Sequence, residues 1–222
     1  TKTLCDEISS MIGRFWWANQ DNEKKIHWLS WEMMSKRKSK GGMGFRDVHC
    51  FNLAMLARQG WRLIHYPDSL CAQVLKARYF PHGNLLKAKE KSGISYAWRS
   101  ILHGVQALQK GLIWRVGNGE NINIWLDPWI PNGANQRPAT PKGRTILTKV
   151  ADLIDPNTGL WDRDLVEAVF WDIDANLILA IPIQMDQEDH VAWHPDTKGL
   201  FTVKSAYHTI KDKEELMDQR QL

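Results

Sequence analysis

Cysteine is scarce in this chain: three residues in 222, Cys5, Cys50 and Cys71, odd in number and far apart. That excludes a disulfide framework and fits a reducing compartment. No apolar run approaches the roughly 18 residues of a membrane span. No basic amphipathic stretch has the clean apolar face of an interfacial anchor, and the N-terminus is not a signal peptide, so no membrane partner is expected. A nucleotide P-loop, a dinucleotide fingerprint, a nucleophile elbow and any adjacent Asp-Asp pair are missing. The close carboxylate pairs Asp162/Asp164 and Asp172/Asp174 sit at helix starts, where capping explains them more simply than paired-metal chemistry does. His190 and His194 share one face of an expected strand without a third ligand, and Cys50 beside His49 lacks partner spacing, whereas a metal needs three or four ligands. The expectation is a chain with no catalytic residue, no metal and no cofactor of its own.

Tryptophan, by contrast, is abundant: twelve residues, enough for large packed clusters or stacking surfaces. Charge is unevenly distributed. Residues 1–131 hold 19 Lys and Arg against 10 Asp and Glu, a balance of +9, while residues 132–222 hold 10 against 15, or −5. The basic part suits a polyanionic partner and the acidic part does not. The chain opens on Thr1 inside an amphipathic stretch, the pattern of a fragment.

Hydrophobic periodicity predicts helices over "LCDEISSMIGRFWW", ending near Asn19, and "IHWLSWEMMSK", with a polar turn at 19–25 between them. Further helices are predicted after an Asp47 N-cap, across "DSLCAQVLKARYF", and after a Ser95 cap. The period then becomes two. "LIWRVGNGENINIWL" reads as a β-hairpin around Gly117-Asn118-Gly119. The Pro- and Gly-rich "DPWIPNGANQRPATPKG" reads as a linker. Short helices near 147–154, 161–170 and 172–181 follow, then a second hairpin in "DHVAWHPDTKGLFTV" and a last helix from Ser205. The fold class expected is mainly α (α+β): a basic helical bundle with a terminal hairpin over 1–131, a linker over 132–145, and a small acidic α+β segment over 146–222.

The densest cationic feature is "SKRKSKGGMGFRD", residues 35–47, with Lys36, Arg37, Lys38 and Lys40 directly before three glycines. Mutually repelling cations seek water or an anion, and glycines let backbone N–H groups approach a phosphate. A solvated loop, phosphate-backbone contact and a nuclear address all remain open for it. Downstream, Arg58, Arg62, Lys76, Arg78, Arg99 and Arg115 interleave with Trp61, Tyr79, Trp98 and Trp114. That mixture suits duplex tracking and base stacking, or a core with outward arginines.

In order, "FWW", "IHWLSWEMM", "KSKGGMGFRDVHCFNLAMLARQGWRL", "PDSLCAQVLKARYFP", "SYAWRSI", "GLIWRVGNGENINIWLDPWIP" and "GLFTVKSAY" resemble one family. It is the region after the palm in plant LINE-type (non-LTR) retrotransposon reverse transcriptases. The resemblance runs from Phe15 to Tyr207. It implies a thumb and connection segment, with the polymerase aspartates upstream and a zinc-binding module downstream. It therefore implies a noncatalytic piece that holds RNA or an RNA–DNA template–primer duplex through Lys36, Arg37, Lys38, Lys40, Arg46, Arg58 and Arg62. The missing palm and zinc-binding modules would be its other partners. Nuclear action fits the family, whose remnants also occur in plant mitochondrial genomes. The tail "KDKEELMDQRQL" departs from the family's usual continuation, which leaves a degenerate or domesticated fragment, serving as a protein-binding scaffold or without function, as the alternative.

Overall fold

The computed structural model describes residues 2–17, 28–81, 83–131 and 136–218, excluding the side chains of 217 and 218. The polar turn expected at 19–25 lies outside these residues. The fold is mainly α with a small β component. In chain order the helices are α1 (Lys2–Trp17), α2 (Trp31–Ser35), α3 (Val48–His65), α4 (Leu70–Tyr79), α5 (Tyr96–Leu108), α6 (Arg163–Val169), α7 (Asp172–Leu179) and α8 (Val203–Asp218). The strands are β1 (Leu112–Arg115) and β2 (His190–Trp193).

Two compact units form: residues 1–110 with 202–222, and residues 111–201. These bounds differ from those expected from composition, because the last helix returns to the first unit and the Pro-rich stretch folds into the second. Sorting charge by unit sharpens the asymmetry. The first unit has 22 Lys and Arg against 12 Asp and Glu, or +10; the second has 7 against 13, or −6.

In the first unit, short polar side chains start the helices. Asp47 accepts from the Cys50 amide at 3.0 Å, Ser95 from the Trp98 amide at 3.2 Å, and Ser69 from the Ala72 amide at 3.4 Å. α3 lies at the centre, packed against α5 and α8. It buries Cys50, Ala54, Ala57 and Gly60, spaced as one stripe of a 3.6-residue helix. α5 answers with Trp98, Leu102, Val105 and Leu108. Small residues let the two backbones approach: a Cβ on Gly104 would stand 2.3 Å from the Leu56 carbonyl carbon. Tyr79 stacks on Trp98 at 4.6 Å, closing this core from the α4 side.

In the second unit, Ile122, Ile124, Trp129, Val150, Leu153, Val166, Phe170 and Ile178 form the core. Neither expected hairpin forms. β1 pairs instead with β2, antiparallel, with Leu112 opposite Trp193 and Arg115 opposite His190. The Gly117–Gly119 turn is organised by a carboxylate far along the chain. Buried Asp189 accepts the Gly117 and Gly119 amides at 2.8 and 2.9 Å on one oxygen and the Asn121 amide at 2.8 Å on the other. After β2 the chain closes a tight turn, the Trp193 amide donating to the Gly199 carbonyl at 2.9 Å, and no second strand follows among the described residues. The 132–145 stretch is not an extended linker where it is described. Thr140 is buried, and its amide and hydroxyl donate to Asp174 at 2.7 and 2.6 Å. Asp174 is thus a buried acceptor inside α7 and not a helix cap; Trp171 occupies the cap position.

Candidate nucleic-acid interface

The basic stretch folds as a closed loop between α2 and α3. After α2 the chain is extended at Lys36 and Arg37, makes one 3-10 turn over Lys38–Lys40, and reverses at Gly41 and Gly44, whose φ angles are +80° and +76°. Gly42 is required for space, since a Cβ there would lie 2.1 Å from the Lys36 carbonyl oxygen. The loop's amides are used internally. Gly41 donates to Lys38, Gly42 to Arg37 and Gly44 to Lys36, at 3.1, 3.1 and 2.9 Å, and Met43 and Phe45 both donate to the Met34 carbonyl at 3.1 Å. The glycines therefore shape the loop without offering an outward row of N–H groups, and any phosphate contact falls to the side chains.

Those side chains differ in availability. Arg37 and Lys40 are ion-paired with α8, Arg37 to Asp212 at 2.8 Å and Lys40 to Glu215 at 2.6 Å. Lys36 is half-buried and Lys38 exposed, and neither has an ion pair among the described residues. Arg46 is exposed, its guanidinium 4.6 Å from the centre of the Phe51 ring. Arg58 and Arg62 stand four residues apart on the outer stripe of α3 with Met55 and Gln59, both exposed and without an ion pair among the described residues. Of the other cations interleaved with aromatics, Arg99 approaches Glu90 at 4.0 Å and Arg78 lies 5.5 Å from the Tyr79 ring centre. Trp98 is buried and Trp61 half-buried, stacked on His65 at 3.9 Å, so both indoles are used in packing.

Sequence reasoning missed the partners of the loop. Residues 211–218 continue the helix that begins at Val203, completing α8, and α8 meets the start of α3 through a polar cluster. The Asp47 amide donates to the Tyr207 hydroxyl at 3.0 Å, Lys211 lies 3.9 Å from the Asp47 carboxylate, and the Cys50 thiol donates to Glu214 at 3.0 Å. Burial, and then the bond to Glu214, push the Cys50 thiol far above its ordinary range, which favours its neutral form. The Tyr207 phenol is also raised, chiefly by burial. Among the described residues no three His, Cys, Asp or Glu side chains gather as a metal site, and no helix is long and apolar enough to cross a membrane.

Over 131 residues the chain is 43% identical to the uncharacterized mitochondrial protein AtMg00310 of Arabidopsis thaliana, an alignment covering 59% of this chain and 85% of that protein. The chain belongs to the family of that mitochondrial protein. It is also 26% identical, over 94% of its own length, to At1g65750 of the same plant, which carries the name of a putative ribonuclease H protein. The chain spans 35%, about a third, of that second relative. Plant relatives of these two kinds are typical of retrotransposon-derived sequences. No family model and no solved structure matches the chain.

Proposed function

We propose that this chain is a noncatalytic segment of a LINE-type retrotransposon reverse-transcriptase polyprotein, the thumb and connection after the palm, and that its first unit holds an RNA–DNA template–primer duplex. The observation that carries the reading is the division of charge between the units, +10 against −6, with exposed cations on the more basic one that have no ion pair among the described residues. Arg58 and Arg62 on α3, Lys36 and Lys38 on the loop, and Arg46 between them are the phosphate-contacting set. Arg37 and Lys40 join it when their α8 acids are displaced. Contacts of this kind read backbone and shape, not sequence. The ribonuclease H name of the long relative fits a polyprotein in which chemistry resides in other modules.

Anisotropy titration of the full chain against a labelled RNA–DNA duplex over a salt series tests this. Affinity is expected to fall steeply with salt. Arg58→Glu with Arg62→Glu should weaken binding and lower the log–log salt slope by about one for each phosphate no longer neutralised. No binding at low salt, or binding indifferent to these changes, rejects the assignment. A second reading, a retroelement fragment whose basic loop is a structural strut, is favoured by the Arg37–Asp212 and Lys40–Glu215 pairs. It predicts that replacing Arg37 and Lys40 lowers the melting temperature without changing duplex affinity.

A further inference from the structure

The first unit uses only part of the apolar surface of α1. Cys5 and Gly13 are buried and Ser9 half-buried, forming one stripe of the helix, and Trp16 sits edge-on to Phe45 at 4.8 Å. Leu4, Ile8, Met11 and Phe15 run along a different side. Their spacing of four, three and four is the d-a-d-a pattern of a coiled-coil seam. At 3.6 residues per turn, that seam lies about 130° around the helix from the Cys5–Gly13 stripe. Ile8 is half-buried, whereas Leu4, Met11 and Phe15 remain 53%, 64% and 83% exposed, so nothing in the chain's own fold covers the seam. A continuous apolar stripe left on a folded surface marks an interaction site.

The charges beside the seam say what covers it. α1 carries Lys2 and Arg14 against Asp6 and Glu7, a balance of zero, which suits neither an anionic membrane surface nor a nucleic-acid backbone. Glu7 and Arg14 flank the seam on the same edge, at successive g positions, both exposed and without an ion pair among the described residues. Such an edge is complementary to a reversed copy of itself. We propose that α1 is a homodimerisation element, pairing antiparallel with α1 of a second copy of this chain. Leu4 then packs on Phe15 of the second copy and Ile8 on its Met11, and the two-fold axis repeats both contacts. The same alignment sets Glu7 beside Arg14 of the second copy, twice over. A parallel pair would set Glu7 against Ile12 and leave its charge unmatched. Because α1 is already held on its unit, pairing orders little new chain. One helix pair is smaller than the roughly 800 Å2 per partner of a stable interface, so the dimer is weak, on the order of micromolar.

Analytical ultracentrifugation of the full chain from about 1 to 200 μM, without nucleic acid, tests the proposal. A monomer–dimer equilibrium is expected. Phe15→Gln, at a largely exposed position, should weaken it at least about tenfold. Glu7→Lys and Arg14→Glu each place like charges across both symmetric contacts and should each weaken self-association by about tenfold. An equimolar mixture of these two variants should regain it as a heterodimer. The two new charges then face each other at one contact, and the native pair is kept at the other. Misfolding cannot produce that rescue, and a parallel pairing cannot either. A chain that stays monomeric at about 200 μM leaves the seam to some other partner and overturns the proposal. A dimer indifferent to Phe15→Gln, or a mixture that associates no better than either variant alone, overturns it as well. Because no duplex is present, failure here is distinct from failure of the duplex reading.

Discussion

Asp47 serves two helices at once. One carboxylate oxygen caps α3, its amide engages Tyr207 on α8, and its other oxygen faces Lys211, which is only 7% exposed. Next to this cluster, on the same helix as Tyr207, is His208. Partial burial, and then the Arg37 guanidinium, disfavour its cationic form and lower its pKa from the ordinary 6.5; Asp212 opposes them, while Lys204 and Lys211 add to the depression. The sign follows directly. Between the depressed folded value and 6.5 the unfolded chain binds more protons, so the contribution of His208 to stability is present above 6.5 and is lost as pH falls through that window. An NMR pH titration of the His208 ring is expected to give a midpoint below 6.5, and Arg37→Ala should move it upward. A midpoint that stays put in the variant would show that Arg37 does not act on the ring and would remove one link between the loop and α8.

The crossing of α3 and α5 depends on Gly104. Its missing side chain lets the α5 backbone lie against Leu56 and Ala57, with the would-be Cβ only 2.6 Å from the Leu56 oxygen and 2.7 Å from the Ala57 nitrogen. Backbone cannot yield as a side-chain tip does. Gly104→Ala should therefore destabilise the protein by about 3 kcal/mol or more, at the upper end of overpacking costs and against the small intrinsic helix preference for alanine. Denaturant unfolding measures it; a loss below about 1 kcal/mol would mean the helices separate easily. Elements of this kind are legible in sequence because their signals are local. The caps at Asp47, Ser95 and Asp162 and the apolar stripes of α3 and α5 lie within a few residues of what they control. The strands were not legible as paired, because β1 finds its partner in β2 more than seventy residues away, and the glycines that mimic a hairpin turn wrap Asp189. A two-residue period shows that a strand exists, not which strand lies beside it. The same limit applies to the site. The cations of residues 36–40 are visible in sequence, whereas Asp212 and Glu215, each 175 residues from the cation it neutralises, are not.

For the molecule as a whole, net charge decides less than the pairing of charge. The first unit carries +10, yet two of its four loop cations face carboxylates of α8, so Asp212 and Glu215 already occupy part of the surface that a phosphate backbone would claim. The Arg37–Asp212 pair is exposed on both sides and stabilises by only about 0–1 kcal/mol, the Lys40–Glu215 pair has a largely buried carboxylate with its cation at the surface, and a polyanion releasing counterions competes for both cations. Asp212→Asn combined with Glu215→Gln frees Arg37 and Lys40 while adding two units of positive charge. If the basic face holds a duplex, the double variant should bind RNA–DNA more tightly than the parent at low salt. Its salt slope should be steeper by up to about two, with a loss of unfolding free energy no larger than about 1–2 kcal/mol. If the loop is a strut, the same variant should lose stability and gain no affinity. Measuring both quantities on one protein distinguishes the two readings, because duplex binding uses the freed cations and a strut needs them paired.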